Sequence, residues 1–431
     1  MKKINFYTIA LGFAAIILIT TLAMVFTGNG DITGPLIIAF FIILSFAVKG
    51  FQPVKGLSFT MWMFTAVSAA MFYPQYFTKV GHYELSELIT PLLQIIMFGM
   101  GSQMSLNDFT GVIKMPKGVV IGVGAHYLVM PFLAFTITSV FHFPPEIAAG
   151  IILVGCVPSG LASNVMSLLA SANLALAVTI GAVTTIISPF VTPLLMKFIG
   201  GQYIVVNIWK MMFDIFNMMI LPIVAGFIFN LFFIGKENLR SKVIQLIAYF
   251  VIFLVAGLVY VKFKQTDIAG FLVFLSKSIC LFYLLPIIAA ILFRYFLKGD
   301  KIVMKKILSM ASMVGIAVIV TVITAAGRDS LLKVGTLLLL MTLLHNLLGY
   351  VMGYSVAWMF KMPEQDRRTI AFEVGMPNAG LASGLSKSMG NIATIGLAPA
   401  IYGPLMNVTG STLASWWRTK IPKEEKQKSE D

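Results

Sequence analysis

Apolar residues run through this chain in blocks long enough to cross a lipid bilayer, separated by short polar joints. The blocks fall at 5–26, 32–49, 58–75, 88–103, 118–140, 147–170, 174–198, 209–233, 243–261, 268–293, 307–326, 331–360, 369–389 and 392–417. A helix needs about 20 apolar residues to span hydrocarbon. Backbone N–H and C=O groups there must pair within their own segment, so each block is expected to be helical. The apolar–polar alternation of a membrane-spanning strand is absent. The pattern predicts an all-α polytopic membrane protein of fourteen segments. No stretch has the polarity of a soluble domain, and the longest polar run, 418–431, is expected to be a disordered tail.

Composition strengthens this reading. Of the 431 residues, 58% are hydrophobic and 11% charged, against about 25% charged in soluble domains, and the mean hydropathy is +0.93. The net charge of +14 fits positive-inside topology better than a nucleic-acid partner. With the N-terminus inside, Lys2, Lys3, Lys49, Lys55, Lys114, Lys117, Lys236, Arg240, Lys242, Arg294, Lys298, Lys301, Lys305, Lys306, Lys361, Arg367, Arg368 and the tail all face one side. Far fewer, among them Lys79, Lys197, Lys210 and Arg328, face the other. This bias predicts an even number of spans with both termini inside, and the expected setting is a plasma membrane (the inner membrane if the source is a bacterium) with both termini cytoplasmic. The first block is longer than the core of a usual signal peptide and is read as a retained helix. Cys156 and Cys280 allow one disulfide, and no cluster has metal-ligand spacing.

Two blocks carry an echo. Gly155-Cys156-Val157-Pro158-Ser159-Gly160-Leu161-Ala162-Ser163-Asn164 and Gly375-Met376-Pro377-Asn378-Ala379-Gly380-Leu381-Ala382-Ser383 lie about 220 residues apart. Proline removes a backbone donor and disturbs the helix around it, so both blocks are expected to be broken helices. An odd number of crossings separates them, so they run in opposite directions. Broken helices at matching places in two halves point to a transporter site, where half-helix N-termini attract anions and free carbonyls attract cations.

Polar groups inside apolar blocks sharpen the site. Glu373 stands just before the second break, and a lone charge in lipid costs about 2.5–3.5 kcal/mol on insertion scales. It calls for a cation, a proton or a hydrogen-bonded niche. Ser163, Asn164 and Asn378 follow the breaks and can cap a half-helix or coordinate a cation. His126, His345 and Asn346 lie within apolar runs, where imidazoles can carry protons or simply pack by one hydrogen bond. Asp214 and Asn217 are expected near an interface, and Trp416-Trp417-Arg418 as an interfacial anchor. No P-loop, HExxH or other enzyme motif is present, and no acid, base and nucleophile stand out as a set. The chain therefore reads as a secondary transporter rather than an enzyme, with a non-transporting receptor or scaffold as the alternative and a channel behind it.

Several blocks together resemble the bile acid:sodium symporter superfamily, which includes many bacterial organic-anion transporters. They are Ile96-Met97-Phe98-Gly99-Met100-Gly101, the stretch Gly150 to Met166, Leu344-His345-Asn346 with Gly349-Tyr350, the stretch Phe372 to Asn378, and Gly410-Ser411 after Asn407. The resemblance covers 58–235 and 305–417. It implies two inverted five-helix repeats with two broken, crossing helices, arranged as a panel and a core. The first repeat would span 58–198, and the second 209–235 with 305–417. Two additional helices would occupy 1–50, an inserted pair 240–300, and a cytoplasmic tail 418–431.

The resemblance also implies a small or medium organic anion, such as a carboxylate or sulfonate, as substrate. The coupling cation would bind at Ser163, Asn164 and Glu373, with His126 and the carbonyl of Met376 beside it. The anion would meet Asn164, Asn378, Pro158, Pro377, His345 and Asn346. Ala177 and Gly181 stand where the family has two hydroxyls, and His126 and Pro377 where it has two glutamines. Sodium, protons and the absence of any coupling ion all stay open. No cofactor and no nucleic-acid partner are expected, and an oligomeric partner is not specified.

Overall fold

The computed structural model describes residues 6–27, 30–51, 55–104, 111–234, 238–297 and 299–420. The protein is an all-α polytopic membrane protein, with one two-residue hairpin pairing Lys79–Val80 to Tyr83–Glu84. Its main helices are α1 (Phe6–Phe26), α2 (Gly30–Ala47), α3 (Ser58–Phe72), α4 (Ile89–Gly101), α5 (Pro116–Val140), α6 (Pro145–Cys156), α7 (Leu161–Leu169) and α8 (Leu174–Phe198). They continue with α9 (Ile208–Ile234), α10 (Leu239–Lys264), α11 (Ile268–Leu297), α12 (Lys301–Ala326), α13 (Arg328–Met359), α14 (Glu364–Gly375), α15 (Ala379–Ser388) and α16 (Leu397–Arg418).

Every predicted apolar block contains helix, and the two blocks with the echo are broken as expected, into α6–α7 and α14–α15. Among the described residues, nine helices are long and apolar enough to cross a membrane: α1, α2, α5 and α8 to α13. The other blocks give shorter helices such as α3, α4 and α6, or the less apolar α16. The tail beyond residue 420, and Lys2 and Lys3, lie outside the described residues.

The helices sort into two bodies. One is a layer in which α1 packs on α2, α2 on α3, α3 on α12, α12 on α4 and α4 on α9, with α10 and α11 closing it against α9. Aromatic contacts seal that last joint: Phe213 of α9 meets Tyr260 and Phe263 of α10 and Phe274 of α11, and Phe227 stacks on Tyr249. The other body is a bundle of α5, α6, α7, α8, α13, α14, α15 and α16. The principal contacts between layer and bundle run through α15, α16 and the α8–α9 joint.

Close approach within the layer depends on small residues. A Cβ added at Gly226 of α9 would stand 2.5 Å from the backbone N of Ser102, and one at Gly101 would run into the backbone of Ile223. The two helices therefore touch backbone to backbone at the end of α4. Two wide π turns, Phe216–Ile220 and Cys280–Leu284, precede Pro222 and Pro286 inside α9 and α11. A proline ring crowds the carbonyl four residues back, and a widened turn moves that carbonyl aside. Gln94 of α4 answers the disturbed backbone of α9, donating from Nε2 to Asn217 O at 3.1 Å.

One open possibility is closed and one expectation is corrected. Cys156 is buried in α6 and Cys280 is exposed on α11, and both are free thiols. Trp417 is no interfacial anchor: it is buried, with its ring edge against Phe372 at 5.2 Å. Trp416 alone of that pair is exposed.

Candidate functional site

The two breaks meet. Ser159 and Pro377 form an antiparallel bridge, in which Gly160 N donates to Met376 O at 2.8 Å and Asn378 N to Pro158 O at 2.7 Å. Each break thus supplies the hydrogen-bond partners that its own helix has lost, which is what burial demands of free backbone groups. A Cβ at Gly160 would stand 3.1 Å from Pro377 O, so a larger residue would push the two strands of chain apart.

From the crossing the two broken helices run antiparallel. At one end Asn173, which caps α8, donates to Asp366 at 2.8 Å, and Arg368 donates to Ala170 O at 3.1 Å. At the other end Thr394 donates to Glu146 at 2.6 Å. The carbonyl ends of α6 and α14 and the N–H ends of α7 and α15 therefore converge within the bundle. A helix N-terminus carries a partial positive charge and a C-terminus a partial negative one, so this centre can face ions of either sign.

Glu373 lies in the last turn of α14, fully buried. Ser159 donates to its Oε2 at 2.6 Å and Ser163 to its Oε1 at 2.6 Å, both serines coming from the opposite break. Ser163 Oγ also stands 2.6 Å from Gly160 O. A hydroxyl has one proton, so Ser163 cannot serve both oxygens. The cluster holds more close oxygens than hydrogens, a balance that a positive charge placed among them would restore.

His126 of α5 is fully buried between the two breaks, with Nδ1 2.8 Å from Glu373 O and Nε2 2.8 Å from Val157 O. A neutral imidazole donates from one nitrogen only. The Asn164 Oδ1 and Thr185 Oγ1 atoms are buried with no hydrogen-bond partner among the described residues. Gly181 of α8 faces the carboxylate: a Cβ there would lie 3.7 Å from Glu373 Oε2. Of the hydroxyls near it on α8, Thr184, three positions along, turns back to Gly181 O at 3.0 Å.

The remaining predicted residues divide between structural work and the crossing itself. Asn378 caps α15, its Oδ1 accepting from Leu381 N at 3.0 Å. The Met376 carbonyl is taken by Gly160 N, and Pro158 and Pro377 form the crossing strands. Asn346 of α13 donates to Gly375 O at 2.8 Å and accepts from Thr409 at 2.6 Å, which fixes the second break to α13 and α16. His345 reaches Met130 O at 3.1 Å through Nε2, and its ring packs edge-on against Tyr402. Asp214 pairs with Lys210 at 3.5 Å.

Ser159, Tyr402 and Arg368 had not been singled out. Ser159 sits inside the first echo, but a serine alone carries little signal. Tyr402 donates to Gly375 O at 3.2 Å. Arg368, nearly fully buried, gathers Ala170 O, Trp417 O and Lys420 O as well as Glu364; its number of carbonyl partners is a property of the fold rather than of any motif.

Residues 90–270 match the Sodium Bile acid symporter family. The chain is similar to an uncharacterized sodium-dependent transporter, YocS, of Bacillus subtilis (strain 168). They are 31% identical over 379 residues, 88% of this chain and 96% of the relative. It is similar to the probable chloroplastic sodium/metabolite cotransporter BASS1 of Arabidopsis thaliana, 27% identical over 77% of this chain and 67% of that protein. The corresponding protein of Oryza sativa subsp. japonica is 27% identical over 87% of this chain and 75% of its own length.

Proposed function

The chain belongs to the sodium bile acid symporter family and is a membrane transporter, and from that premise we propose that it carries a small or medium organic anion by alternating access, driven by a cation bound at Glu373. The observation that carries this reading is the antiparallel crossing of two broken helices with a buried carboxylate held by serines of the opposite break. Such a centre is expensive to hold in a bilayer unless it encloses something charged.

Sodium is the first candidate for the cation, because the relatives are named as sodium-dependent or sodium/metabolite transporters. Ser163, Asn164 and Glu373 would hold it, with the unpartnered Asn164 Oδ1 as one ligand. Protons are the second reading. They are favoured by His126 wedged between the carbonyls of both breaks, and by Ala177 and Gly181, which bring no hydroxyl to the carboxylate.

The anion would dock at the N-termini of α7 and α15 and at Asn164 and Asn378, with a carboxylate or sulfonate as the group recognised. A cation beside it would raise its affinity, and the anion would raise the cation's by the same factor. The antiparallel run of α6–α7 against α14–α15 supports the inverted-repeat reading, with 58–198 as one repeat and 209–235 with 305–417 as the other. The layer plays the panel and the bundle the core. The charge bias supports both termini on the cytoplasmic side of a plasma membrane.

Uptake into sealed proteoliposomes tests the proposal, with sodium and proton gradients imposed separately over a panel of organic anions. One gradient should accelerate uptake, and Glu373→Gln should abolish that acceleration. Gradient-insensitive uptake that Glu373→Gln leaves unchanged would rule out coupling at this site.

A further inference from the structure

The half-helices that follow the two breaks have different neighbours. Seven of the ten residues of α15 are buried. A Cβ at Gly384 would press on Leu93 of α4 and lie 3.2 Å from Met218 Sδ of α9, and one at Gly380 would lie 3.6 Å from Leu93. Lys387 and Ser388 follow at the i+3 and i+4 positions from Gly384, on the same face. One stripe of α15 is therefore turned toward the layer.

Two polar ties close the far end of that stripe. Lys387 Nζ lies 2.9 Å from Glu87 Oε2, in the short turn Leu85–Leu88 that leads into α4. Lys210 of α9 donates from Nζ to Ser388 O and lies 3.5 Å from Asp214 Oδ2. Both ammonium groups sit at the carbonyl end of α15, the negative end of a helix. Both bring the layer with them.

The other half-helix is held differently. The carbonyl end of α7 is capped by Arg368, which belongs to the bundle itself. Three of the nine residues of α7 are buried, while Val165 and Leu168 are 54% and 61% exposed. Its principal packing is on α8, α14 and α16, all within the bundle. The layer packs along α15, and none of the principal contacts of α7 is with the layer.

We infer that Lys210, Asp214 and the Glu87–Lys387 pair form a latch that holds the seam shut at the α15 end, and that each transport cycle releases this latch as the α7 end closes. The inference rests on the alternating-access reading. Its materials suit a joint that must open repeatedly. Partly exposed ion pairs hold weakly, and glycines leave no interlocked side chains to withdraw. Asp214 holds Lys210 and also reaches the Ser388 side chain of α15, so it is a positioning residue for the same tie.

The test uses the full chain in membranes, with Cys156→Ala and Cys280→Ala as background and Gly380→Cys as reporter. A membrane-impermeant maleimide is applied from the face that carries Lys387. The reporter should react slowly. Its rate should rise about fivefold when Lys210→Met and Glu87→Gln are combined, the scale expected of two partly exposed charge ties. The exchange Glu87→Lys with Lys387→Glu should return it to the slow rate, which a mere folding defect would not do. In a second arm, Glu87→Cys with Lys387→Cys should form a disulfide that stops uptake until it is reduced.

An unchanged labelling rate in the double variant, or full uptake through the cross-linked protein, overturns the latch. Labelling does not require transport. A latch that responds as expected in a protein that moves no anion would keep the tie across the seam but remove the transport reading on which its release in each cycle rests. Gradient-driven uptake with an inert latch would do the reverse.

Discussion

The proposed cation chemistry comes down to a few protons. Ser163 Oγ is 2.6 Å from two oxygens and has one hydrogen to give, while Ser159 gives its own to Glu373 Oε2. A cation near Glu373 would relieve the crowded oxygens, and the two hydroxyls would then order the carboxylate for it. Ser159→Ala should therefore weaken cation activation about 10- to 100-fold, since a hydrogen bond to a charged group contributes about 1.5–3 kcal/mol. The cation concentration giving half-maximal uptake is the measurement; an unshifted value would remove Ser159 from the site. Glu373 and His126 were legible beforehand because polar groups are conspicuous in apolar blocks, and Ser163 only through its place after the break and the family resemblance. Asn378 was legible only as a choice between cap and ligand; its Oδ1 caps α15 by accepting from Leu381 N, a bond that does not use the side-chain amide nitrogen. Ser159 was missed because its role is fixed by the opposite break, which no local pattern displays.

At the scale of the element, both breaks could be read from Pro158 and Pro377 with the glycines beside them, because these residues act through their own backbone. What they pair with could not be read. The bridge joining Ser159 to Pro377 spans more than half the chain, and Gly160 is needed there only because Pro377 O lies opposite. Gly160→Val should spread the crossing and eliminate cation-stimulated uptake while leaving the protein in the membrane. Recovery of full uptake in that variant would show that the crossing tolerates separation. The π turns were invisible in the sequence: Pro222 and Pro286 signal a disturbed helix but not its form. The contact of α4 with α9 was equally hidden, although Gly101 stands in a block that the resemblance had marked. Gly226→Leu should destabilise the layer by about 1–3 kcal/mol or more, the usual range for overpacking, read as a lower melting temperature in detergent. An unchanged melting temperature would mean that α4 and α9 can part without loss.

At the scale of the molecule, the helices that the sequence reading set apart, α1, α2, α10 and α11, all extend the layer, although the family match reaches through α10, and this yields the last prediction. The hairpin α1–α2 reaches the rest of the protein chiefly through α3. Ser58 of α3 region donates to Ser45 O at 2.8 Å, and Phe41 and Phe46 meet Phe64 and Trp62 at 5.4 and 5.8 Å. The outermost helix, α1, buries Ala10, Ala14 and Thr21 and turns most of its apolar side chains outward. Lipid tails are as apolar as the side chains they would replace, so losing this hairpin forfeits packing rather than hydrophobic burial. Two spans leave together, so the inside and outside assignment of every later loop is kept. The crossing at Ser159 and Pro377 and the latch at Lys210 lie among helices that α1 and α2 do not principally touch. Removing residues 1–50 should therefore lower the melting temperature by a few degrees and leave cation-stimulated uptake within about twofold of the full chain, since a site that keeps all its contacts keeps its binding energy. Loss of coupling in a truncated protein that melts like the parent would place the hairpin in the transport cycle itself, and the layer could then no longer be treated as a fixed wall against which the bundle moves.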